Sequence, residues 1–411
     1  MAIAACSTVV EWYDFTLYLY MATLLSRVLF GPGEASLAAT LGGFAVAYLM
    51  RPLGALVFGH IGDRYGRRRT MLASMVIMTA AMLATALLPT YAALGSSAGL
   101  LLLLLRCVMG FSVGGEYTGV VAYLLEGAAR ERRGLVTSFA AMASEIGALL
   151  AAGVAAITVS TFEPAALEAW GWRIPFFIGA ALAGSVLLAR STMQESPEFE
   201  RQQERGTVPQ QPLRFALQYR SAIARGFAIS ALGSITYYVG ITYVPAFLSQ
   251  GGSLSERDAL WLSTLAAFVV ILVTPLIGLL TDKIGRKPVL LLLCIAAALL
   301  PATMFAWMAG ASDARVLVGA VVLAAMGGGV SAVGAVTTAE LFPGEGRLSG
   351  LAWGATAATA IFGGFTPYLA QRFTALTGSP MAPGFMIAAV ALAVLPVLLT
   401  MPETRPRKPV A

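Results

Sequence analysis

Charged residues are scarce in this 411-residue sequence. Asp, Glu, Lys and Arg make up 12% of it, against about 25% in an ordinary soluble domain. Hydrophobic residues make up 58%, which excludes a disordered chain. The 21 acidic and 27 basic side chains are too few to cover the surface of a soluble protein of this length. The composition therefore indicates a protein whose main solvent is lipid.

Cysteine and histidine are also almost absent. The three cysteines, Cys6, Cys107 and Cys294, are odd in number and lie in apolar runs, which excludes a secreted disulfide scaffold. The single histidine, His60, predicts no metal site. No phosphate-binding loop and no catalytic triad spacing occurs, so we expect neither an ATP-driven pump nor an enzyme, and no cofactor.

Long apolar segments, in contrast, are abundant. A helix needs roughly 20 residues to cross ~30 Å of hydrocarbon. Seven stretches contain no charge at all, at 71–105, 226–255, 259–281, 288–312, 316–339, 348–371 and 373–402. The sequence thus predicts an all-α membrane protein with twelve spans, at 3–30, 35–59, 70–90, 98–126, 134–160, 172–190, 222–249, 258–281, 288–310, 314–340, 348–376 and 381–401.

The basic residues predict the orientation of these spans. Twenty of them fall in one set of connections and at the C-terminus, and five fall on the opposite side, at Arg27, Arg173, Arg257, Arg315 and Arg372. Basic residues stay in the cytoplasm, so both termini are predicted to be cytoplasmic in a bacterial inner membrane. The net charge of +6 is then a topology signal, and we expect no nucleic-acid partner.

A polar segment divides the chain into two halves. We predict an N-terminal six-helix bundle at 1–191, a cytoplasmic linker at 192–221, a C-terminal six-helix bundle at 222–403 and a cytoplasmic tail at 404–411.

Three pairs of motifs recur in the same order in the two halves. Gly59-x3-Asp63-Arg64-x-Gly66-Arg67-Arg68 returns as Gly278-x3-Asp282-Lys283-x-Gly285-Arg286-Lys287, 219 residues later. Glu126 with Arg133 returns as Glu340 with Arg347, and Pro197-Glu198 returns as Pro402-Glu403. Parallel repeats of this kind are typical of secondary transporters.

The repeated charges predict a latch between the halves at the cytoplasmic face, which holds in one state and releases in the other. Its predicted members are Asp63, Arg67, Glu126, Arg133, Asp282, Arg286, Glu340 and Arg347. Simple anchoring of the topology is the alternative, but anchoring needs only the arginines.

The loop motifs resemble the signature of the major facilitator superfamily. Four further motifs resemble its metabolite:proton symporter family: Glu11-Trp12-Tyr13-Asp14-Phe15, Arg51-Pro52-Leu53-Gly54, Arg106-x3-Gly110-Phe111-Ser112-x-Gly114-Gly115-Glu116 and Gly171-Trp172-Arg173-Ile174-Pro175-Phe176. Thr359-Ala360-Ile361-Phe362-Gly363-Gly364-x-Thr366-Pro367 is most similar to the citrate and tricarballylate carriers. The resemblance implies the major facilitator fold and transport by alternating access.

Six ionisable residues lie within the predicted spans, at a cost of about 2.5–3.5 kcal/mol each on insertion scales. They are Glu11, Asp14, Arg51, Arg106, Glu116 and Glu145. If all are ionised, four acids against two arginines leave a charge of −2. We predict that the four acids serve proton coupling, with Glu116 or Glu145 carrying the transported proton. A structural pair of Glu11 or Asp14 with Arg51 is the alternative.

The candidate substrate contacts come from both halves. Arg106 offers a guanidinium to a carboxylate, although it could instead be a buried partner of Glu116. Tyr18 shares a helix stripe with Glu11 and Asp14. Ser234, Tyr237, Tyr238 and Thr359 supply hydroxyl groups in the second half, where bonds between helices are the alternative.

These observations predict a monomeric carrier in the lipid bilayer that takes up a small organic acid, such as citrate or another di- or tricarboxylate, with protons. Sodium as the coupling ion stays open. The alternatives are a proton symporter for zwitterions such as betaine or proline, a proton-antiport exporter of a metabolite, and a transporter-like sensor.

Overall fold

The computed structural model describes residues 2–31, 34–250, 256–311 and 314–406, and all regular elements in these ranges are helices. Twelve helices coincide with the twelve predicted spans. In the first half they are α1 Ala2–Tyr20, α2 Glu34–Tyr65, α3 Arg67–Ala86, α4 (Ser96–Val113 and Glu116–Gly127), α5 Arg133–Thr161 and α6 Ile174–Ser191. In the second half they are α7 Arg220–Tyr237, α8 Glu256–Ile284, α9 Arg286–Met308, α10 Ala314–Glu340, α11 (Arg347–Leu351, Ala352–Thr356, Ala357–Phe362 and Thr366–Thr377) and α12 Ala382–Thr400.

Among the described residues, nine helices are long and apolar enough to cross a membrane, namely α3 to α6 and α8 to α12. The other three, α1, α2 and α7, coincide with predicted spans but fall outside that set. Of these, α1 carries Glu11 and Asp14, and α7 carries Arg220 and Arg225 in its first two turns.

Each half has a hydrophobic core of its own. One cluster includes Met78 and Trp172 from the first half, and another includes Leu232 and Phe305 from the second. A third cluster joins the halves at one end of the bundle and includes Ala4, Met71, Leu125, Val336, Phe342 and Leu351. The halves therefore keep separate cores and pack against each other through this cluster and through α5 and α8, as two bodies that rock against each other require.

That end of the bundle carries the basic loops at 64–69, 130–133, 192–219, 283–287 and 341–347, and we call it the basic face. The linker between the halves lies there and contains two short helices, Pro197–Arg205 and Pro212–Ala216. The end of α1 at Ala2 and the described part of the tail, as far as 406, also lie at the basic face; residues 407–411 are outside the described ranges.

The repeat is visible in the backbone at the loops before α3 and α9. Gly66 and Gly285 each have φ of 111°, a conformation that favours glycine, and each directly precedes a helix. Both helix N-termini bind a carboxylate. Glu195 accepts from the backbone N–H groups of Arg67 and Arg68 at 2.9 and 3.1 Å.

Glu403 makes the related contact in the second half, with the backbone N–H groups of Arg286 and Lys287 at 2.9 and 3.0 Å. The predicted third pair, Pro197-Glu198 with Pro402-Glu403, is therefore wrong in register. Glu403 corresponds to Glu195, 208 residues earlier, because the helix N-terminus selects the carboxylate that it can reach.

Candidate functional site

At the basic face, an aspartate of the first half binds a helix of the second. Asp63, at the end of α2, accepts hydrogen bonds from the backbone N–H groups of Leu348 and Ser349 at 3.2 and 2.8 Å. These two residues lie in the first turn of α11, where the helix dipole favours a negative charge. Arg67 pairs with Asp63 at 3.3 Å and holds it in place.

The second half repeats this contact in the opposite direction. Asp282, at the end of α8, accepts hydrogen bonds from the backbone N–H groups of Gly134 and Leu135 at 2.8 and 2.9 Å. Both belong to the first turn of α5, and Arg286 pairs with Asp282 at 3.1 Å. Each half therefore inserts one aspartate into a helix N-terminus of the other.

The glutamates of the predicted latch are bound unequally. Glu126 accepts from Arg67 at 3.0 and 3.1 Å and also from Arg347, which reaches it from the second half. Its counterpart Glu340 accepts from Arg286 within its own half, at 3.1 Å from both nitrogens.

Arg133 takes part in the latch only at longer range. In the described part of the chain it makes no close ion pair, but its charge acts on Glu340 across the halves. The Thr404 hydroxyl donates to Glu340 at 2.8 Å. The other seven predicted latch residues are in the network. The latch is therefore closed at the basic face, and among the described residues the direct ion pair between its glutamates and the opposite half is on the Glu126 side.

An Asp63→Asn protein is expected to open more readily at the basic face, because a charged acceptor of two backbone N–H groups is lost. Such a bond is worth about 1.5–3 kcal/mol, so the rate at which a thiol reagent reaches the cavity from that face should rise roughly tenfold. The measurement uses Ser230→Cys in a background without Cys6, Cys107 and Cys294.

The matched control is Glu198→Gln, which also neutralises a carboxylate at the basic face and breaks the pair with Arg201 inside the linker helix, but leaves the contacts of Asp63 with Leu348 and Ser349 in place. Equal labelling rates in the Asp63→Asn and Glu198→Gln proteins would contradict a latch at Asp63.

A cavity of about 190 Å³ lies between the halves. It is lined by four helices of each half, α1, α2, α4 and α5 on one side and α7, α8, α10 and α11 on the other. Four residues predicted to contact substrate line it, namely Ser234, Tyr237, Tyr238 and Thr359. The pseudo-symmetry of the fold thus places hydroxyl groups of the second half opposite charges of the first.

Hydrogen bonds connect the halves across this cavity. Tyr237 donates to the Oε1 atom of Glu145 at 2.5 Å. The hydroxyl groups of Tyr238 and Tyr48 lie 2.7 Å apart. Ser234 donates to Thr359 at 3.2 Å, which keeps this pair within the second half.

One arginine reaches the cavity among the described residues. Arg51 donates to Glu11 at 3.2 Å, and both side chains line the cavity. The guanidinium carbon of Arg51 lies 4.8 Å from the ring centre of Phe15 and 4.9 Å from that of Tyr48. The Oε2 atom of Glu11 is buried without a partner in the described structure.

Arg106 and Tyr18 do not line the central cavity but a side pocket of about 30 Å³ that adjoins it at Glu11, Tyr48 and Arg51. Arg106 is 3% exposed and pairs with Asp14 at 2.7 and 3.3 Å. Tyr18 packs under its guanidinium and donates to the backbone oxygen of Thr40 at 2.7 Å. The alternative of Arg106 as a partner of Glu116 is wrong, because Asp14 occupies the fork of the guanidinium.

Glu116 is bound outside both pockets. Arg190 donates to its two oxygens at 2.5 and 3.2 Å, and Ser74 also donates to it. Arg190 in turn donates to the backbone oxygen of Met71 and to the hydroxyl of Ser7. The sequence places Glu116 at the same depth as Glu145, but the two carboxylates face different surroundings.

Arg190 changes the charge balance of the membrane region. It lies in the last turn of α6 and is 1% exposed, so it belongs with the embedded charges and not with the linker arginines. Three arginines now face three carboxylates, in the pairs Glu11–Arg51, Asp14–Arg106 and Glu116–Arg190. Within the described ranges Glu145 alone among these acids has no cation, which leaves −1 and not −2.

Several cavity residues were not singled out as substrate contacts in the sequence, namely Trp12, Tyr48, Arg51 and Tyr117. Two signals were present. Trp12 directly follows Glu11 in the sequence. Tyr48 precedes Arg51 by three residues, and this spacing places Tyr48 and Arg51 on one face of α2. No signal in the sequence connects Arg190 to Glu116.

Two family models match the chain. The one described as "Sugar (and other) transporter" matches residues 1–208, and the one described as "Major Facilitator Superfamily" matches residues 227–411.

Named relatives cover nearly the whole chain. The alpha-ketoglutarate permease of Escherichia coli is 35% identical over 370 residues, which are 89% of this chain and 85% of the permease. The proline/betaine transporter of Escherichia coli is 32% identical, over 98% of this chain and 83% of its own length. The citrate-proton symporter of Klebsiella pneumoniae is 30% identical, over 93% and 86%.

The fold matches that of solved transporters. The proton:xylose symporter XylE bound to 6-bromo-6-deoxy-D-glucose has a TM-score of 0.82 with this chain, over 98% of this chain and 95% of XylE, at 19% identity. The expected architecture of two six-helix bundles is thereby confirmed.

Proposed function

Because the chain belongs to the major facilitator superfamily, we propose that it couples the flow of protons to the uptake of a small metabolite that carries a carboxylate. Its family and its relatives are transporters, so it is a membrane carrier and not an enzyme. The observation that carries the proposal is the Glu11–Arg51 pair, the one arginine–carboxylate pair of the described residues that lines the central cavity.

A carboxylate on the solute can replace Glu11 as the partner of Arg51. A single hydrogen bond of 3.2 Å joins Glu11 to the guanidinium, and the second oxygen of Glu11 has no partner among the described residues. Once Arg51 turns to the solute, Glu11 is a buried carboxylate without a cation. Burial of an unpaired charge is strongly unfavourable, so Glu11 takes up a proton. Solute and proton therefore bind together, which is symport.

The other predicted proton sites have different roles in this proposal. Asp14 keeps Arg106 and Glu116 keeps Arg190, since neither pair lines the central cavity. Glu145 keeps the hydroxyl of Tyr237 as a hydrogen-bond donor throughout, whereas Glu11 loses its donor when Arg51 turns to the solute. In this proposal Glu145 is therefore the acid that stays ionised, and it sets the charge of the empty cavity.

Two groups of contacts between the halves would have to break and re-form during alternating access, one at the basic face and one at the cavity. Asp63 and Asp282 close the basic face, and the hydroxyl contact between Tyr48 and Tyr238 joins the halves at the level of the cavity. We assign the transport cycle to a rocking motion in which the aspartates leave the helix N-termini as the halves separate at the basic face.

The basic face is the cytoplasmic face in this proposal, and the membrane is the bacterial inner membrane. The excess of basic residues at that face supports the orientation, with both termini inside. The bacterial origin of the relatives supports the membrane.

Two solute classes share the required carboxylate. The names of the alpha-ketoglutarate permease and of the citrate-proton symporter support an organic acid. The name of the proline/betaine transporter supports a zwitterion. Both classes can displace Glu11 from Arg51, so coupling alone does not separate them.

Purified protein in proteoliposomes tests the coupling. A gradient of about one pH unit, acid outside, is expected to drive roughly tenfold accumulation of a transported solute if one proton moves with each molecule. The panel contains 2-oxoglutarate, citrate, proline and glycine betaine, each radiolabelled, and a trapped pH dye reports proton entry on addition of solute.

Accumulation that needs a sodium gradient, or that appears only with an acid interior, would contradict proton symport. The first result would assign sodium as the coupling ion, and the second would assign antiport. Solute that binds but is never moved would indicate a sensor.

A further inference from the structure

Five aromatic side chains form a closed ring of contacts between the two halves. The ring runs through Trp12, Phe15, Tyr48, Tyr238 and Tyr237 and back to Trp12, with centroid distances of 5.5, 5.8, 6.1, 5.4 and 5.8 Å. The interplanar angles lie between 56° and 90°, so the rings meet edge to face. We call this group the aromatic ring of the cavity.

The aromatic ring marks the end of the cavity that lies away from the basic face. Trp12 on α1, Tyr48 on α2 and Tyr238, which directly follows α7, are the lining residues of their segments that are farthest from that face. Glu145 has the same position on α5 and accepts a hydrogen bond from Tyr237. A carboxylate and several aromatic faces therefore meet at one end of the cavity.

This ring already binds one cation on one side. The Arg51 guanidinium lies 4.8 and 4.9 Å from the centres of Phe15 and Tyr48, within the range of a cation–π contact. In the described structure no cation lies over Trp12 or Tyr237. Tryptophan and tyrosine are the best of the aromatic side chains at this interaction.

The charges of the cavity select the complementary ligand. Its described charged residues are Glu11, Arg51 and Glu145, and the first two neutralise each other. The remaining negative charge at Glu145 repels a second or third carboxylate of a solute. It attracts an ammonium group, and the adjacent aromatic side chains suit an ammonium whose hydrogens are replaced by carbon.

We propose that the aromatic ring and Glu145 form a binding site for the alkylated ammonium group of a zwitterion, whose carboxylate binds Arg51. This inference rests on the proposed function and narrows its solute class. Trp12 lines the cavity, and its indole Nε1 atom is buried without a partner in the described structure. This N–H group is a second donor for the carboxylate of the solute.

A zwitterion in this site makes the loaded carrier neutral. The ammonium neutralises Glu145, the solute carboxylate neutralises Arg51, and the proton neutralises Glu11. The cavity is then neutral when both solute and proton are bound. A dicarboxylate in the same place would leave two negative charges, at Glu145 and on the solute, in a region of low dielectric constant.

An isosteric pair of probes tests the site directly. Glycine betaine and tert-butylacetate have the same shape and the same carboxylate, but tert-butylacetate has a neutral carbon in place of the quaternary nitrogen. Calorimetric titration of the purified protein is expected to show at least about tenfold tighter binding of glycine betaine. The Glu145→Gln and Trp12→Leu proteins are each expected to lose most of that preference.

The matched control is Glu198→Gln, which removes the same charge from the linker surface and should keep the full preference. Gel filtration checks that each variant is folded. If the Glu145→Gln protein is misfolded, the Trp12→Leu protein still tests the site.

Equal affinity for the two probes in the wild-type protein would overturn the inference, as would a preference that survives both substitutions. If citrate or 2-oxoglutarate then drove proton entry in the proteoliposomes, the proposed function would still stand. If glycine betaine bound with the expected preference but no solute moved protons, the site would stand and the symport would fall.

Discussion

A Glu11→Gln protein is expected to exchange its solute across the membrane but not to accumulate it on a pH gradient. The amide cannot take up a proton, and it leaves Arg51 free to bind the carboxylate of the solute. With about one pH unit across the membrane, accumulation should fall from roughly tenfold to about one, the ratio of simple equilibration. Proteoliposomes loaded with unlabelled solute should still show counterflow.

The Glu198→Gln protein is the control here as well, because it has the same change in formal charge at a site far from the cavity. Full accumulation by the Glu11→Gln protein would show that another group carries the proton. Loss of both accumulation and counterflow would show instead that Glu11 is needed for solute binding.

An Arg190→Leu protein is expected to lose most of its folded form. Arg190 is 1% exposed and is bound to both oxygens of Glu116 at 2.5 and 3.2 Å. Removal of one member of a buried pair leaves an unpaired charge and costs about 3–5 kcal/mol, a large part of the stability of an ordinary domain. The measurement is the fraction of monodisperse protein in detergent and its midpoint of thermal unfolding.

Two companions make this prediction specific. Arg201→Leu breaks an ion pair whose side chains are 53% and 33% exposed, so it should change stability by at most about 1 kcal/mol. The double variant Glu116→Leu with Arg190→Leu removes both charges and should recover much of the lost stability. If Arg190→Leu were as stable as Arg201→Leu, the pair would not have the structural role assigned to it.

The spans and the repeat could be predicted because they follow from local physics. In lipid, each backbone polar group must be satisfied within its own segment, so a long apolar stretch forms a helix whatever its neighbours are. Gly66 and Gly285 mark the same turn in both halves, with the same φ of 111°. The latch residues Asp63 and Asp282 follow from those turns, since each precedes the glycine by three residues.

The partners of the embedded charges could not be predicted from the sequence. Arg190 stands at the end of its span, where an arginine usually reaches the aqueous interface, yet α6 turns it inward to Glu116. Arg106 lies at a depth that suits Glu116 or a solute equally, but its rotation about the axis of α4 directs it to Asp14. The register of Glu403 likewise depended on which carboxylate reaches the start of α9.

The amino-acid sequence by itself determined that this chain is a twelve-helix membrane protein with duplicated halves and acids in its membrane region, because hydropathy and turn chemistry act over a few neighbouring residues. Tertiary structure alone decided which embedded acid has no cation among the described residues, which described arginine lines the cavity and that aromatic side chains of α1, α2 and the C-terminal end of α7 close into one ring. Those features depend on how each helix is rotated and how deep it lies relative to the others, and that is set by packing between segments far apart in the chain.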